Sequence, residues 1–195
     1  MSPVTSYPTP VLETERLILR PLVPRDAASL FAIFSDPAVV RYWGEERWTS
    51  AAAADEAIGH ALACYRDRTE LRFGVELAAT ASLIGTVNLY GFFPAHRRCE
   101  TGYALGSAHW GKGYAAEALE AAFDYGFREL QLNRVEADID PRNSASIALL
   151  ERIGFRKEAS MPERWCIHGE TAGSICYGLL RRYWDARGRA AAGVP

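Results

Sequence analysis

Two glycines separated by one lysine, at the entrance to an amphipathic stretch, give Trp110-Gly111-Lys112-Gly113-Tyr114-Ala115-Ala116 the clearest chemical potential in this 195-residue chain. The first N–H groups of a helix have no partner inside the helix and stand at the positive end of its dipole. Glycine and alanine leave those groups uncovered, so backbone alone can receive a phosphate or pyrophosphate. Lys112 adds a mobile positive charge beside them. The same Gly-x-Gly form also suits a tight turn with no ligand. The spacing fits neither Gly-x-Gly-x-x-Gly nor Gly-x-x-x-x-Gly-Lys-Ser/Thr, which disfavours a plain nucleotide-binding protein.

The elements around this loop must position it. Arg16 to Leu22 alternates as a strand, and Pro24-Arg25-Asp26 starts a helix stopped by Asp36-Pro37. Thr49 or Ser50 caps a second helix, Ala51 to Asp67, with an apolar stripe through Ala54, Ile58, Ala61, Leu62 and Tyr65. Strands are predicted over Leu71 to Ala78, Ser82 to Tyr90 and Arg98 to Leu105, joined by hairpins. The glycine loop then opens a helix reaching Leu130. A strand over Val135 to Ile139, a helix over Ala145 to Ile153 and two late strands follow, the last over Ser174 to Leu180. Antiparallel strands followed by a strand–helix–strand crossover predict an α/β fold with a mixed, mostly antiparallel central sheet and helices on both faces.

Downstream of the loop, Asn143-Ser144-Ala145-Ser146 opens a helix that leaves through Gly154-Phe155. On these residues, on the glycine loop and on the opening Glu13-Thr14-Glu15-Arg16-Leu17-Ile18-Leu19-Arg20-Pro21-Leu22, the chain resembles the GCN5-related N-acetyltransferases (GNAT), most closely the Rim-type branch that includes ribosomal-protein N-terminal acetyltransferases. The resemblance runs from about residue 12 to about residue 184. It implies a single GNAT domain over 12–185, between an N-terminal arm (1–11) and a C-terminal tail (186–195). It also implies acetyl-CoA as the acetyl donor, and a sheet that splits beside the cofactor, often at a bulge, with which Gly102 and Gly106 are compatible.

The resemblance makes Ala104, Leu105, Trp110, Gly111, Lys112, Gly113, Tyr114, Ala115, Ala116 and Asn143 the cofactor-binding residues. Backbone N–H groups near Leu105 would polarise the thioester carbonyl. Positioning two reactants supplies roughly 7–11 kcal/mol of such a barrier. Glu100, in Cys99-Glu100-Thr101-Gly102-Tyr103, is the candidate base for the acceptor ammonium, directly or through water; the plainer reading pairs it with Arg97 or Arg98. Ser146 is the candidate donor to the leaving thiolate, or else a helix-surface hydroxyl, and Asn143 competes between pantetheine contact and helix capping. Two positions depart from the family pattern. Trp110 stands at the usual Gln/Arg position, and Leu150 where many relatives carry a tyrosine as their general acid.

The acceptor is a primary amine, either a protein N-terminus or a small molecule such as a polyamine, amino acid or antibiotic, attacking directly in a ternary complex. Tyr42, Trp43, Trp48, Phe92, Phe93 and Trp165 are candidates for its side, with Glu45 and Glu46 able to receive a cationic amine. The alternative function is a non-catalytic acyl-CoA-binding or regulatory module, supported by the absent tyrosine. Lys plus Arg number 22 and Asp plus Glu 24, a net charge of −2 that offers no general attraction to nucleic acid or membrane. Arg181-Arg182 and Arg187 to Arg189 read as a solvated end. No stretch is apolar enough for a signal peptide or a membrane span. Four widely spaced cysteines imply reduced thiols in a cytoplasmic protein, and the four histidines show no ligand-like pairing, so no metal is expected. The protein is expected as a monomer or homodimer, the dimer implied only by the family.

Overall fold

The computed structural model describes residues 10–167 and 169–191. The chain runs β1 (Leu12–Glu13), β2 (Leu17–Pro21), α1 (Ala27–Phe34), α2 (Pro37–Val40), α3 (Ala52–Asp67), β3 (Leu71–Leu77), β4 (Ser82–Phe93) and β5 (Arg98–Leu105). It continues through α4 (Tyr114–Arg128), β6 (Arg134–Ile139), α5 (Ser144–Ile153), β7 (Arg156–Ile167), β8 (Glu170–Leu180) and α6 (Arg181–Ala191). The eight strands form one sheet in the order β1-β2-β3-β4-β5-β6-β8-β7. Every neighbouring pair is antiparallel except β5 and β6, which are parallel and joined by the crossover helix α4.

Each face of the sheet carries its own apolar cluster. On one face α4 buries Ala118, Leu119, Ala122, Phe123 and Phe127, a stripe at helical spacing, and α5 adds Leu150 and Ile153. Both helices pack on Leu89, Cys99, Leu105, Val135 and Tyr177 of the strands. On the other face Leu30, Ile33 and Phe34 of α1 meet Ala54, Ile58 and Ala61 of α3 over Leu83 and Ala104. Alternation along β5 therefore sends Cys99, Tyr103 and Leu105 toward α4 and α5, and sends Glu100 and Ala104 toward α1 and α3.

A buried ionic network fixes the start of α1 to the sheet. Both Nη atoms of Arg20 donate to Asp26 at 2.8 Å, and its Nε donates to Glu76 at 2.8 Å. Asp26 and Glu76 are 3% and 5% exposed, so each depends on this guanidinium for its charge. Burial pushes the Asp26 carboxyl up, but hydrogen bonds from Arg20 and the Val23 amide, with the Arg20 charge, outweigh it and hold it below its ordinary value.

Four departures from the sequence reading have local causes. Asp36-Pro37 ends α1 and also begins α2, because the Asp36 carboxylate caps the Ala38 N–H at 2.9 Å and proline suits the first helical position. The arginine-rich segment after Leu180 is helix α6, held by Trp184 against Phe123 and Phe127 and by Arg187 on Glu120 at 2.5 Å. Helical backbone thus continues to Ala191, past the expected domain end at 185 and into the expected tail; residues 192–195, and residues 1–9 of the arm, lie outside the described residues. The register shift nearest the expected bulge falls in β4 between Tyr90 and Phe93, where Gly91 has φ +57°, and the β4–β5 register is unbroken from Gly102 to Leu105. Finally, His60 and Cys64, one turn apart on α3, meet Glu70 with ligand atoms within 4.8 Å of one another, a grouping that the spacing of the histidines alone does not reveal. Arg72 already engages Glu70 at 3.0 Å.

Candidate active site

The parallel ladder between β5 and β6 is short. It comprises Arg98↔Arg134, Cys99↔Val135 and Glu100↔Glu136, and then stops. Beyond Glu100, β5 stays paired with β4 as far as Leu105, while β6 stays paired with β8 as far as Ile139. The two strands therefore part, and the backbone edge of Thr101 to Leu105 that faces away from β4 opens on a gap. Ala104 and Leu105, two of the expected cofactor-binding residues, lie on that edge.

The glycine loop stands at the end of the same strand. Gly111 and Gly113 have φ of +72° and +82°, a region that strains any residue with a Cβ. Gly113 is the N-cap of α4, and the N–H groups at the helix entrance, through Tyr114, Ala115 and Ala116, have no capping side chain, an arrangement able to receive an anion. Two side chains are spent on the loop itself. The Trp110 indole N–H donates to the Leu105 carbonyl at 2.8 Å, and the Lys112 ammonium donates to the Ala108 carbonyl at 2.8 Å. Lys112 is thus tethered rather than the mobile charge expected of it.

Arg16, quoted only as part of the opening strand motif, braces this loop. Its Nη1 donates to the Lys112 carbonyl at 3.0 Å and its Nε to Glu117 at 2.7 Å, and its guanidinium lies 4.7 Å from the Tyr114 ring centre. Thr14 and the Arg16 amide also donate to Glu117, at 2.6 and 2.9 Å. Burial pushes the Glu117 carboxyl up, but these bonds and the Arg16 charge prevail and lower it. The signal was present in Thr14-x-Arg16 and Glu117, but only the folded chain joins them.

Glu100 is half-buried and, among the described residues, has no hydrogen bond or ion pair. The expected pairing with Arg98 does not form, because Arg98 binds Glu136 at 2.5 Å. Tyr90 stands opposite Glu100 on β4, its hydroxyl pushed up to about 12 by burial and then by the charges of Glu100, Asp138 and Glu70. Asn143 does cap α5: its Oδ1 accepts from the Ser146 N–H at 3.1 Å, which leaves its amide N–H groups for other partners. Leu150 is fully buried in the core.

Tyr103 is the residue the sequence reading missed. Its hydroxyl is buried without a hydrogen-bond partner of good geometry, yet close enough to the Ser146 hydroxyl to interact with it. Burial pushes the phenol up to about 12, an effect that Ser146 opposes. A buried, unpartnered donor is costly unless something else satisfies it.

On the segment expected to face the acceptor, a cleft of about 480 Å³ is lined by Pro37, Val40, Arg41, Tyr42, Glu46, Arg47, Arg142 and Glu170. Of the aromatic candidates only Tyr42 lines it. Trp43 and Trp48 pack on Phe34 at 5.5 and 4.8 Å, Phe92 joins the core, and Phe93 stacks on His96. Trp165 is exposed on β7. Asp36 accepts from Ser107 at 2.6 Å, which ties the wall of this cleft to the turn before the glycine loop.

A mixed sheet that splits beside an uncapped helix entrance is the architecture of an acyl-transferring enzyme. The chain belongs to the acetyltransferase (GNAT) family, whose domain model matches residues 16–156, and to its Rim-like branch. It is 36% identical over 172 residues to the uncharacterized N-acetyltransferase YoaA of Bacillus subtilis, covering 88% of this chain and 97% of that one. Spermidine N-acetyltransferase from Vibrio cholerae, solved with CoA and spermine, superimposes with a TM-score of 0.78 at 27% identity, covering 88% of this chain and 99% of that one. RimJ of Mycobacterium smegmatis, solved with CoA-disulfide, gives 0.78 at 25% identity, covering 91% and 89%. No described helix is long and apolar enough to cross a membrane.

Proposed function

We propose that the protein transfers the acetyl group of acetyl-CoA to a primary amine by direct attack in a ternary complex. The observation that carries this reading is the end of the β5–β6 ladder at Glu100, on the strand that leads into the uncapped glycine loop. The open edge of β5 suits an amide-bearing arm that pairs like an added strand, and the loop suits a pyrophosphate. The acetyl-CoA thioester supplies the activated acyl group. Gly111 to Ala116 hold its phosphates, Arg16 and Trp110 keep that loop in shape, and Ala104, Leu105 and the Asn143 amide line the arm.

Glu100 takes the proton that the acceptor ammonium must lose before its lone pair can attack. An unpaired carboxylate suits this work, since a salt bridge to Arg98 would have occupied it. Strand alternation places Tyr103 and Ser146 on the opposite side of β5 from Glu100. The amine is therefore deprotonated on one face, while on the other the hydroxyl pair holds a proton for the leaving thiolate. Tyr103 thus takes the task that the buried Leu150 cannot perform. This spare donor favours catalysis over a non-catalytic acyl-CoA-binding module.

The test combines calorimetry with mass spectrometry of the acceptor. Gly113→Glu places a Cβ in the left-handed region and a carboxylate in the anion site, so acetyl-CoA binding is expected to vanish with the fold intact by circular dichroism. Wild-type affinity in that variant would remove the loop from the site. Mass spectrometry should find acceptor acetylated only when wild-type protein, acetyl-CoA and amine are all present.

A further inference from the structure

The charges of the acceptor cleft restrict what the amine can be attached to. Three arginines line it beside two carboxylates: Arg41, Glu46 and Arg47 follow α2, Arg142 sits in the turn between β6 and α5, one residue before Asn143, and Glu170 opens β8. Arg142 is committed. It donates to the buried Asp140 carboxylate at 2.7 Å and to Glu170 at 3.0 Å, so both its position and its charge are accounted for. Arg41 and Arg47 are not. Among the described residues neither pairs with a carboxylate, and the Arg41 guanidinium lies 5.3 Å from the Tyr42 ring centre. Arg142 approaches that ring too, at 5.9 Å, so a paired and an unpaired guanidinium both lie near Tyr42.

We propose that this enzyme acetylates a primary amine that carries an anionic group, with Arg41 and Arg47 receiving the anion while the amine faces Glu100. The assignment rests on the acetyltransferase reading above and names its acceptor class. A planar guanidinium fork matches carboxylate and phosphate oxygens, and like charges brought together across a cleft oppose binding. A polycation would bring further positive charge to Arg41 and Arg47. The reacting amine itself meets the opposite field, where unpaired Glu100 and nearby Asp138 both act on Tyr90. Amine and anion are thus read at different ends of one site.

The distance between those ends selects among anionic amines. Arg41 and Arg47 share their cleft with Arg142; Glu100 pairs with Glu136, and from there β6 runs to Ile139, about 10 Å at the usual strand rise, before the turn that carries Arg142. A free α-amino acid holds its carboxylate next to its amine and cannot span this. An extended peptide N-terminus advances about 3.3 Å per residue, so an acidic side chain at its second to fourth position can.

The test compares an N-terminal peptide bearing Asp or Glu at positions two to four with its Asn/Gln counterpart, with free glutamate and with spermidine. Acetylation is followed for wild type and for Arg41→Gln/Arg47→Gln. The expected kcat/KM for the acidic peptide exceeds that for the neutral one by about tenfold or more, as two charge-assisted contacts allow, and falls with added salt. In the double variant the ratio should collapse toward one through KM, with acetyl-CoA affinity unchanged. A wild-type preference for spermidine or the neutral peptide, or an acidic preference that survives in the double variant, overturns the proposal. A preference for free glutamate over the acidic peptide overturns the spacing. Calorimetry of the acidic peptide against CoA-loaded protein separates this proposal from the reading it rests on. Arginine-dependent binding without acetylation would sink the transferase reading and leave the cleft assignment standing. Acetylation of spermidine with no binding of the acidic peptide would do the reverse.

Discussion

Glu100 and Tyr103 sit three positions apart on one strand, and the odd spacing sends them to opposite faces. In the proposed mechanism that arrangement separates the group that takes a proton from the group that gives one. Glu100→Gln keeps the shape and loses the base, so kcat at neutral pH should fall by roughly 10²–10⁴ while the KM for acetyl-CoA stays put. An unchanged pH–rate profile in that variant would remove Glu100 from the mechanism. Tyr103→Phe should lower kcat without weakening CoA binding. Combining it with Ser146→Ala should add little, because residues acting as one unit do not contribute independently. The Tyr103 phenol, pushed up to about 12 mainly by burial, stays protonated through neutral pH, so it adds no limb to the rate profile between pH 6 and 9. Glu100 was legible as a candidate from sequence because of its place on the strand before the loop. Tyr103 was not, since its significance lies in an unpaired hydroxyl beside a helix that begins at Ser144.

At the scale of elements, the glycine loop is held from outside by the turn between β1 and β2. Arg16 reaches both the Lys112 carbonyl and Glu117, so the shape of the loop depends on a segment far away in the chain. The Arg16 side chain is 44% exposed, which limits the bridge to about 1 kcal/mol, or about fivefold in acetyl-CoA affinity. Arg16→Ala should weaken acetyl-CoA binding by that factor. Arg16→Lys should not restore it, because an ammonium cannot reproduce the fork. Full affinity in both variants would show that the loop holds itself. Strands and long helices were legible because their apolar spacing is local: β5 was read with its bounds intact, and α3 and α5 to within a residue. Helix α6 escaped because its arginines read as a solvated end, while its helical state is set by Trp184 packing on α4. The gap beyond Glu100 is a pairing that does not form, and no residue spacing encodes it directly.

The whole molecule depends on a charge buried early in the chain. Arg20 satisfies Asp26 and Glu76 together, and removing it leaves two carboxylates without their cation. Arg20→Ala should cost about 3–5 kcal/mol in urea unfolding, a loss that Arg25, 70% exposed and 3.5 Å from Glu76, cannot make good. Asp26 titrates lower in the folded state than its ordinary value of 3.8, so it contributes stability above that pH. That contribution fades as the pH falls from about 4 through the lower folded-state value, and acid unfolding should begin there. A midpoint unmoved by Asp26→Asn would deny it this part. The fold class was legible at this scale from the order of antiparallel strands and one crossover. The charge of the proposed acceptor cleft was not, because Arg41, Arg47 and Arg142 meet only after α2 and the β6–α5 turn converge.

Acetyl-CoA-dependent thiol release, followed with an acidic N-terminal peptide, a neutral peptide, free glutamate and spermidine in parallel, tests the central claim most directly. The account predicts release that requires an amine, is abolished by Gly113→Glu and is strongly reduced by Glu100→Gln. Acetyl-CoA bound with full affinity, yet releasing no thiol above the amine-free rate with any of the four, would contradict it.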